Sequence, residues 1–281
     1  MIRFLLVLLL LAGMAGPARA DCVDVAEAAR DAQSRGQFDE AIRLYGQAIA
    51  AGGLSADNLA TIYNNRGIAY WSKGDFDKAI ADYDAAIRIR PNYVAAYHNR
   101  AMANNDKGRS DQAIADYDTA IRLQPDDAFA YENRGRAKLH VGQLGPAVDD
   151  LARAVQLDPS DGYTVLWLHL ARVWAGTDDA AEFSRNAQPL DRAQWPGPLL
   201  DLFLGAANAE KVRAAAAAAA DAKTRREQTC EADFYVGAYA LLHGAPAEAK
   251  KLFQAAADGC PPYFLEATAA KAQLKRLGPQ P

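Results

Sequence analysis

The chain has 281 residues, with 31 basic and 35 acidic side chains and a formal net charge of −4. This length suits one extended array of helices or two small domains. Binding to nucleic acid is not expected, because phosphate contacts need clustered Lys and Arg and the sequence has no basic tract.

The N-terminus has the pattern of a secretory signal peptide. Arg3 gives a short positive end, an apolar run covers residues 4–12, and Ala18 and Ala20 form a small-residue cleavage site. We expect cleavage near Ala20 and an exported, periplasmic protein. No later apolar run is long enough to cross a membrane, so no membrane span is expected after cleavage.

Two alternatives for the N-terminus stay open. The apolar segment could remain as an uncleaved anchor, although no stop-transfer pattern follows it. Cys22 could instead be lipidated, but lipoproteins carry a small residue directly before the acylated cysteine and Asp21 stands there. A soluble exported chain is therefore the favoured prediction, and lipid anchoring at Cys22 is disfavoured.

A repeat follows. Residues 22–55 hold a weaker first copy, and the pattern then recurs at an interval of 34 residues as units 60–93, 94–127 and 128–161. In the second unit Tyr63, Gly67 and Tyr70 have helical spacing, and Gly74 ends that helix. A second apolar stripe runs from residue 76 to residue 87, and a proline then prevents continuation. Each unit is predicted to be a helical hairpin that must stack on its neighbours.

The order of aromatic, small, glycine, alanine and proline positions resembles the tetratricopeptide repeat (TPR). The resemblance implies an all-α fold, a right-handed α-solenoid of helical hairpins. It also implies that the first helices line a concave groove.

After residue 161 the pattern decays. Residues 162–229 are predicted to be a degenerate repeat and a helical connector, with a first helix over 162–176 and one continuous helix over 209–228, rich in alanine. Residues 230–281 restore a TPR-like hairpin and add a capping helix from Tyr263 to Leu277.

This C-terminal part resembles the NlpI family of bacterial cell-envelope TPR lipoproteins. The resemblance rests on Trp195-Pro-Gly-Pro, on residues 201–205 (Asp-Leu-Phe-Leu-Gly) and on residues 233–237 (Asp-Phe-Tyr-Val-Gly). It implies a periplasmic adaptor that binds a processing protease with its substrates and scaffolds murein hydrolases.

A disulfide between Cys230 and Cys260 is predicted. Cys230 is expected to open the first helix of the last hairpin and Cys260 to close the second, and antiparallel geometry brings those two ends together. An exported chain meets an oxidising compartment. Cys22 stays outside the bond. The alternative is two small buried thiols.

No catalytic pattern is found. The histidines are dispersed, and metal-ligand spacings, nucleophile elbows and phosphate loops are missing from the sequence. We therefore predict a protein that is not an enzyme and has no cofactor or metal.

Arginines and aspartates recur sixteen residues apart. We predict structural ion pairs across each hairpin or between neighbours. The pairs are Arg66 with Asp82, Arg100 with Asp116, and Arg134 with Asp150. The alternative is that the arginines are solvated and bind acidic ligands.

A peptide-binding groove is predicted along the first helices. Equivalent asparagines can donate to and accept from an extended backbone, as groove asparagines do in several TPR families. The predicted groove residues are Asn65, Asn99, Asn133, His98, Met102, Phe129, Glu132 and Arg136. Asn64, Ile68 and Phe129 replace the clamp lysines of chaperone-binding TPRs, so an acidic C-terminal tail is not the expected ligand. The alternative is that the asparagines bond within the hairpins.

The predicted function is a non-enzymatic periplasmic scaffold that binds protein or peptide partners. Two other readings stay open: a structural oligomerisation module that forms a homodimer, and a regulatory subunit of an envelope enzyme.

Overall fold

The computed structural model describes residues 18–261 and 264–278. Within these ranges the chain forms fifteen α-helices and no strand, which confirms the predicted all-α repeat fold. The helices are α1 Ala18–Ser34, α2 Phe38–Ala51, α3 Ala56–Ser72, α4 Phe76–Ile89, α5 Val94–Asp106, α6 Ser110–Leu123, α7 Ala128–His140, α8 Leu144–Leu157, α9 Gly162–Trp174, α10 Ala180–Ala187, α11 Gly197–Phe203, α12 Ala209–Ala217, α13 Ala222–Leu242, α14 Pro246–Gly259 and α15 Leu265–Leu277.

The first eight helices form four hairpins. Each odd-numbered helix packs against the even-numbered helix that follows it, and successive hairpins stack on one another. Most of the predicted signal peptide lies outside the described residues, and α1 already includes its last three positions.

The hairpins close tightly because the sequence places small residues where helices cross. A Cβ added to Gly67 on α3 would lie 2.6 Å from Cε1 of Tyr83 on α4, well inside van der Waals contact. Gly74 then ends α3 with a φ of 78°, a left-handed conformation that favours glycine. The two helices therefore run back to back with the tyrosine ring buried between them.

The apolar core differs between the two halves. In the repeats it is divided into small clusters that contain Tyr45, Tyr83 or Tyr117. From Leu139 to Ala270 a single cluster joins the later helices and includes Trp167 and Phe234. The last part of the molecule is therefore packed as one body around large side chains.

One helix prediction is wrong. The predicted continuous helix over 209–228 is two helices, α12 and α13, separated at residues 218–221. Asp221 caps the second helix, because its carboxylate accepts from the Thr224 backbone N–H at 2.9 Å. Ala217, Ala218 and Ala220 are exposed, so the alanine tract lacks the packing that would hold one helix through this point.

The C-terminal helix turns back onto the array. α15 packs against α13 and α14 and also reaches α7 of the fourth hairpin. It begins at Leu265; the predicted start, Tyr263, lies outside the described residues. Among the helices that the structure describes, none combines the length and apolar character needed to span a membrane.

Candidate functional site

The first helices of successive units form the inner layer of the array. α1 contacts α3, α3 contacts α5, and α7 contacts α9. Their shared face is where the TPR resemblance places a ligand groove.

The three equivalent asparagines do not share one environment. The Asn99 amide donates to Asn64 Oδ1 at 2.9 Å, and the Asn64 amide points to Asn65 Oδ1 at 3.3 Å. Asn133 is only 4% exposed and donates to the Phe129 carbonyl at 2.9 Å. Only Asn65 and Asn99 therefore reach the inner surface, and an amide network that links α3 to α5 of the next hairpin holds them.

Two clefts open on this inner surface. The first, between α1 and α3, is lined by Val23, Tyr45, Ile62 and Asn65, and also by the charged Glu27 and Arg30. The second lies between α3 and α5. Its lining residues are Ile68, Trp71, Tyr83, Asn99 and Met102. Each cleft thus combines apolar walls with one of the predicted asparagines.

His98 and Phe129 form the next part of the inner surface. Their ring centroids are 5.1 Å apart, and Phe129 is 43% exposed. His98 Nε2 lies 2.9 Å from Asp127 Oδ2. Burial lowers the pKa of His98 although the Asp127 carboxylate opposes that shift.

Glu132 and Arg136 do not lie in an open groove, contrary to expectation. Arg136 is 9% exposed, donates to Glu132 Oε1 at 2.8 Å and sits 3.5 Å from Glu266 Oε1 on α15. Its guanidinium also lies over the Trp167 ring, 4.8 Å from the ring centroid. The returning C-terminal helix covers this part of the inner face, which the repeat pattern alone cannot reveal.

The same place gathers carboxylates that sequence analysis did not connect. Glu231 on α13 accepts from the Tyr163 hydroxyl at 2.7 Å and from the Trp195 indole N–H. Burial and the neighbouring Glu266 charge raise the pKa of Glu231 to about 7. No local signal could have identified this cluster, because its members come from widely separated segments.

The arginine and aspartate pairs form as the sixteen-residue spacing predicts. Nη2 of the arginine lies 2.7 Å, 2.5 Å and 2.6 Å from the aspartate in the second, third and fourth hairpins. Two further contacts link neighbouring units, from Arg100 to Asp84 at 2.5 Å and from Arg134 to Asp118 at 2.6 Å. The recurring Asp-Tyr-Asp at 82–84 and 116–118 was the available signal for these second partners.

The Cys230–Cys260 disulfide is present, with a Cα–Cα distance of 5.1 Å. Cys230 does not open a helix as expected, because α13 begins at Ala222 and Cys230 lies inside it. Cys260 caps α14 as predicted. Cys22 is 2% exposed, and its thiol donates to the Gly52 carbonyl at 3.2 Å.

Comparison with known proteins identifies the class of repeat. Residues 60–93 match the tetratricopeptide repeat, and residues 102–142 match a TPR repeat. The chain therefore carries tetratricopeptide repeats, which are modules of protein–protein interaction.

Solved structures show the same fold. A tetratricopeptide repeat protein from Parabacteroides merdae has a TM-score of 0.57 at 16% identity, covering 92% of this chain and 99% of that one. MamA from Desulfovibrio magneticus has a TM-score of 0.56 at 22% identity, covering 64% of this chain and 98% of that one. A further MamA structure has a TM-score of 0.54 at 21% identity, covering 61% and 91%. The identities are low, so these proteins are similar in fold alone.

Proposed function

We propose that this protein is a non-enzymatic periplasmic scaffold that binds segments of partner proteins on the inner face of α1, α3 and α5. The observation that carries the proposal is the pair of clefts on that face, each lined by apolar side chains and an asparagine amide. An extended peptide offers apolar side chains and backbone amides at regular intervals, so it can satisfy both kinds of lining.

The asparagines keep acceptor and donor capacity beyond their internal bonds. A side-chain amide has two N–H donors and an oxygen with two lone pairs, and the bond from Asn99 to Asn64 uses one donor. The internal network fixes the orientation of the amides, which lowers the entropy lost when a peptide binds.

The envelope location rests on three observations. The N-terminus resembles a signal peptide, the disulfide suits an oxidising compartment, and the segments around Trp195, Asp201 and Asp233 resemble the NlpI family. On that resemblance, we propose envelope proteases and murein hydrolases as partners. Because the Cys22 thiol is buried, we propose that the chain carries no lipid anchor at this residue.

The groove is tested with Asn65→Ala combined with Asn99→Ala. Affinity-purified partners from envelope extract are compared by mass spectrometry between wild type and variant. The double variant should lose affinity, since each neutral hydrogen bond contributes about 0.5–1.5 kcal/mol. The matched control is Gln112→Ala with Gln156→Ala, which removes two exposed amides from α6 and α8. Equal loss in both variants, or loss in neither, would refute the groove.

The location is tested by fractionation and by mass spectrometry of the intact mature chain. We expect a periplasmic protein that begins at Asp21 and carries no acyl group. A cytoplasmic chain that retains Met1, or an acylated Cys22, would contradict this part of the proposal.

A further inference from the structure

The first and the last helices that the structure describes belong to segments of opposite charge. Residues 21–58, which include α1, contain seven acidic and three basic side chains. Residues 246–278, which include α15, contain three acidic and five basic ones. Because the charges are separated along the chain, the first segment of one molecule attracts the last segment of another.

The exposed side of α15 is a row of cations. Lys271 and Lys275 are exposed and lie one turn apart on the same side of the helix, with the exposed Arg276 beside them. In the described part of the chain, none of these three side chains forms an ion pair or a hydrogen bond. Lys250 Nζ donates to the neutral Gly278 carbonyl at 2.5 Å, which places a further positive charge beside the end of α15. We call Lys250, Lys271, Lys275 and Arg276 the basic face.

The chain does not supply a carboxylate to balance this row. Glu266 is the acidic residue of α15, but it is 4% exposed and contacts Arg136 of α7. By contrast, the exposed Lys73 of the second hairpin pairs with Asp39 of the first. The basic face is therefore open to an anionic partner.

The first helix carries the opposite charge on its exposed side. Asp24 and Asp31 lie two turns apart on α1, with Ala28 between them, and all three are exposed. Within the described ranges neither carboxylate takes part in an ion pair. The small Ala28 allows another helix to approach closely. We call Asp24, Ala28 and Asp31 the acidic face.

We propose that the acidic face of one molecule docks on the basic face of a second copy of this chain, so that molecules associate head to tail. Within the chain, ion pairs such as Arg100 with Asp84, at 2.5 Å, already join neighbouring hairpins. The contact between molecules continues the stack by the same chemistry with the signs exchanged. Neither face lines the clefts between α1, α3 and α5, so the inference does not depend on the proposed groove.

The two faces differ, so the contact is heterologous and leaves one face free at each end of a complex. Such a complex grows beyond two chains unless it closes into a ring. A contact between identical surfaces would instead stop at a dimer.

The first test is sedimentation velocity of the purified mature chain at increasing protein concentration. It is run at about 0.01 M and about 1 M salt, where the Debye length is about 30 Å and about 3 Å. We expect the average mass to rise beyond two chains at low salt and to return to one chain at high salt. A single chain at every concentration, association that salt does not weaken, or growth that stops at two chains would overturn the proposal.

Two double variants each neutralise one face. Lys271→Gln with Lys275→Gln removes charge from the basic face, and Asp24→Asn with Asp31→Asn removes it from the acidic face. Each double variant alone should associate at least tenfold more weakly than wild type. An equal mixture keeps one intact face from each variant, so it should form a complex of two chains that does not grow. Such a complex also shows that both variants are folded, and its absence would refute the contact.

Matched controls remove the same charge from exposed positions elsewhere. They are Lys211→Gln with Lys223→Gln and Asp111→Asn with Asp126→Asn, and both should associate as wild type does. An equal loss in these controls would show general charge attraction and overturn the contact.

An anionic lipid surface is the other partner that a row of cations suits. Wild type and the Lys271→Gln, Lys275→Gln variant are therefore also sedimented with vesicles of phosphatidylcholine and phosphatidylglycerol. Vesicle binding that this variant loses, together with unchanged self-association, would assign the basic face to lipid and overturn the proposal. Lost self-association without vesicle binding is the expected result.

Discussion

The regular hairpins from α3 to α8 and the later helices from α9 to α15 are held together by different means. From α3 to α6, small apolar clusters alternate with arginine–aspartate contacts that recur with the repeat. The fourth hairpin keeps such a contact, although its core residues already belong to the large cluster. In the later helices one large apolar core, a disulfide and the returning α15 replace those contacts. The difference shows that a repeat is stable through identical interfaces, whereas a degenerate end needs unique long-range contacts.

The change from repeat-type contacts to a large apolar core occurs at equivalent positions of successive units. Counting 34 residues on from Asn133 and Arg134 gives Trp167 and Leu168, both fully or almost fully buried. The amide and the charged side chain of the repeat thus become large apolar groups. The inner layer, which α15 already covers at Arg136 of α7, is therefore part of the core at α9.

Trp167→Ala should give the largest loss of stability. The ring is 0% exposed and packs 5.3 Å from the Phe234 ring, so its removal leaves a large cavity and should cost about 4 kcal/mol. Asn133→Ala, at the equivalent position one unit earlier, should cost about 1 kcal/mol through its single bond to Phe129. Urea denaturation of both variants checks this, and similar losses would contradict the contrast between the regions.

Removal of the disulfide should have the next largest effect. Cys230→Ser with Cys260→Ser opens a loop with a sequence separation of 30 and should cost about 3 kcal/mol. Hydrogen exchange should speed up in α13 to α15 and stay unchanged in α5 and α6. Faster exchange throughout the chain would show that the two regions unfold as one unit.

Arg100→Ala tests the contacts between hairpins. It leaves Asp116 and Asp84 without their cation and should cost about 2 kcal/mol, since both arginine contacts are partly buried. Arg66→Ala should cost less, because among the described residues Arg66 pairs with Asp82 and has no second carboxylate like Asp84. Thermal denaturation of the two variants ranks them, and a larger loss for Arg66→Ala would refute the role of the second contact.

A half-buried carboxylate in the repeats gives a pH-dependent test. Asp106 accepts from the Trp71 indole N–H at 2.6 Å, and burial raises its pKa to about 7. Its contribution to stability is therefore present at low pH, below the unfolded pKa, and is lost as pH rises through about 7.

Asp106→Asn keeps an acceptor for Trp71 and removes the charge. It should stabilise the fold by roughly 1–2 kcal/mol at pH 8 and have little effect at pH 5. The exposed Asp111→Asn serves as the control. Urea denaturation at both pH values measures the difference in unfolding free energy between Asp106→Asn and wild type. A difference that does not grow with pH would contradict this prediction.

The smallest expected effect comes from a substitution that adds an ion pair between the first hairpin and Arg66. Gly46 occupies the position of Asp84 in the weaker first unit, and a Cβ there would lie 3.8 Å from Arg66 Nη1. Gly46→Asp should stabilise the chain by about 0.5 kcal/mol more than Gly46→Asn, which has a similar helix propensity and no charge. A high-salt melt that leaves this difference intact would show that the gain is not electrostatic.

The periodic features of the structure could be predicted from the sequence. The hairpins, their glycine ends and the Arg–Asp spacing all follow from local rules repeated every 34 residues. The recurrence of Tyr and Ala at fixed positions indicates which faces are buried. The disulfide was also predicted correctly, although Cys230 was wrongly expected at the start of a helix. The pairing of α13 with α14 brings Cys230 and Cys260 together wherever α13 begins.

The sequence was insufficient where distant segments meet. Arg136 has the helical position of a groove residue, yet α15 covers it through Glu266, 130 residues further along the chain. The helix break at Ala218 depends on weak packing and on the N-cap at Asp221. A prediction from helix propensity alone misses this break, because alanine strongly favours a continuous helix. Tertiary contacts, and not local pattern, decided both cases.

The position of α15 also sets a length scale. Packed helices are spaced by about 8–10 Å, so the inner faces of α1, α3 and α5 together measure roughly 30 Å. An extended chain rises about 3.3 Å per residue, so roughly nine residues fit before the segment meets α7 and the helix that covers it. In the proposed groove, the C-terminal helix therefore limits a bound segment to roughly this length.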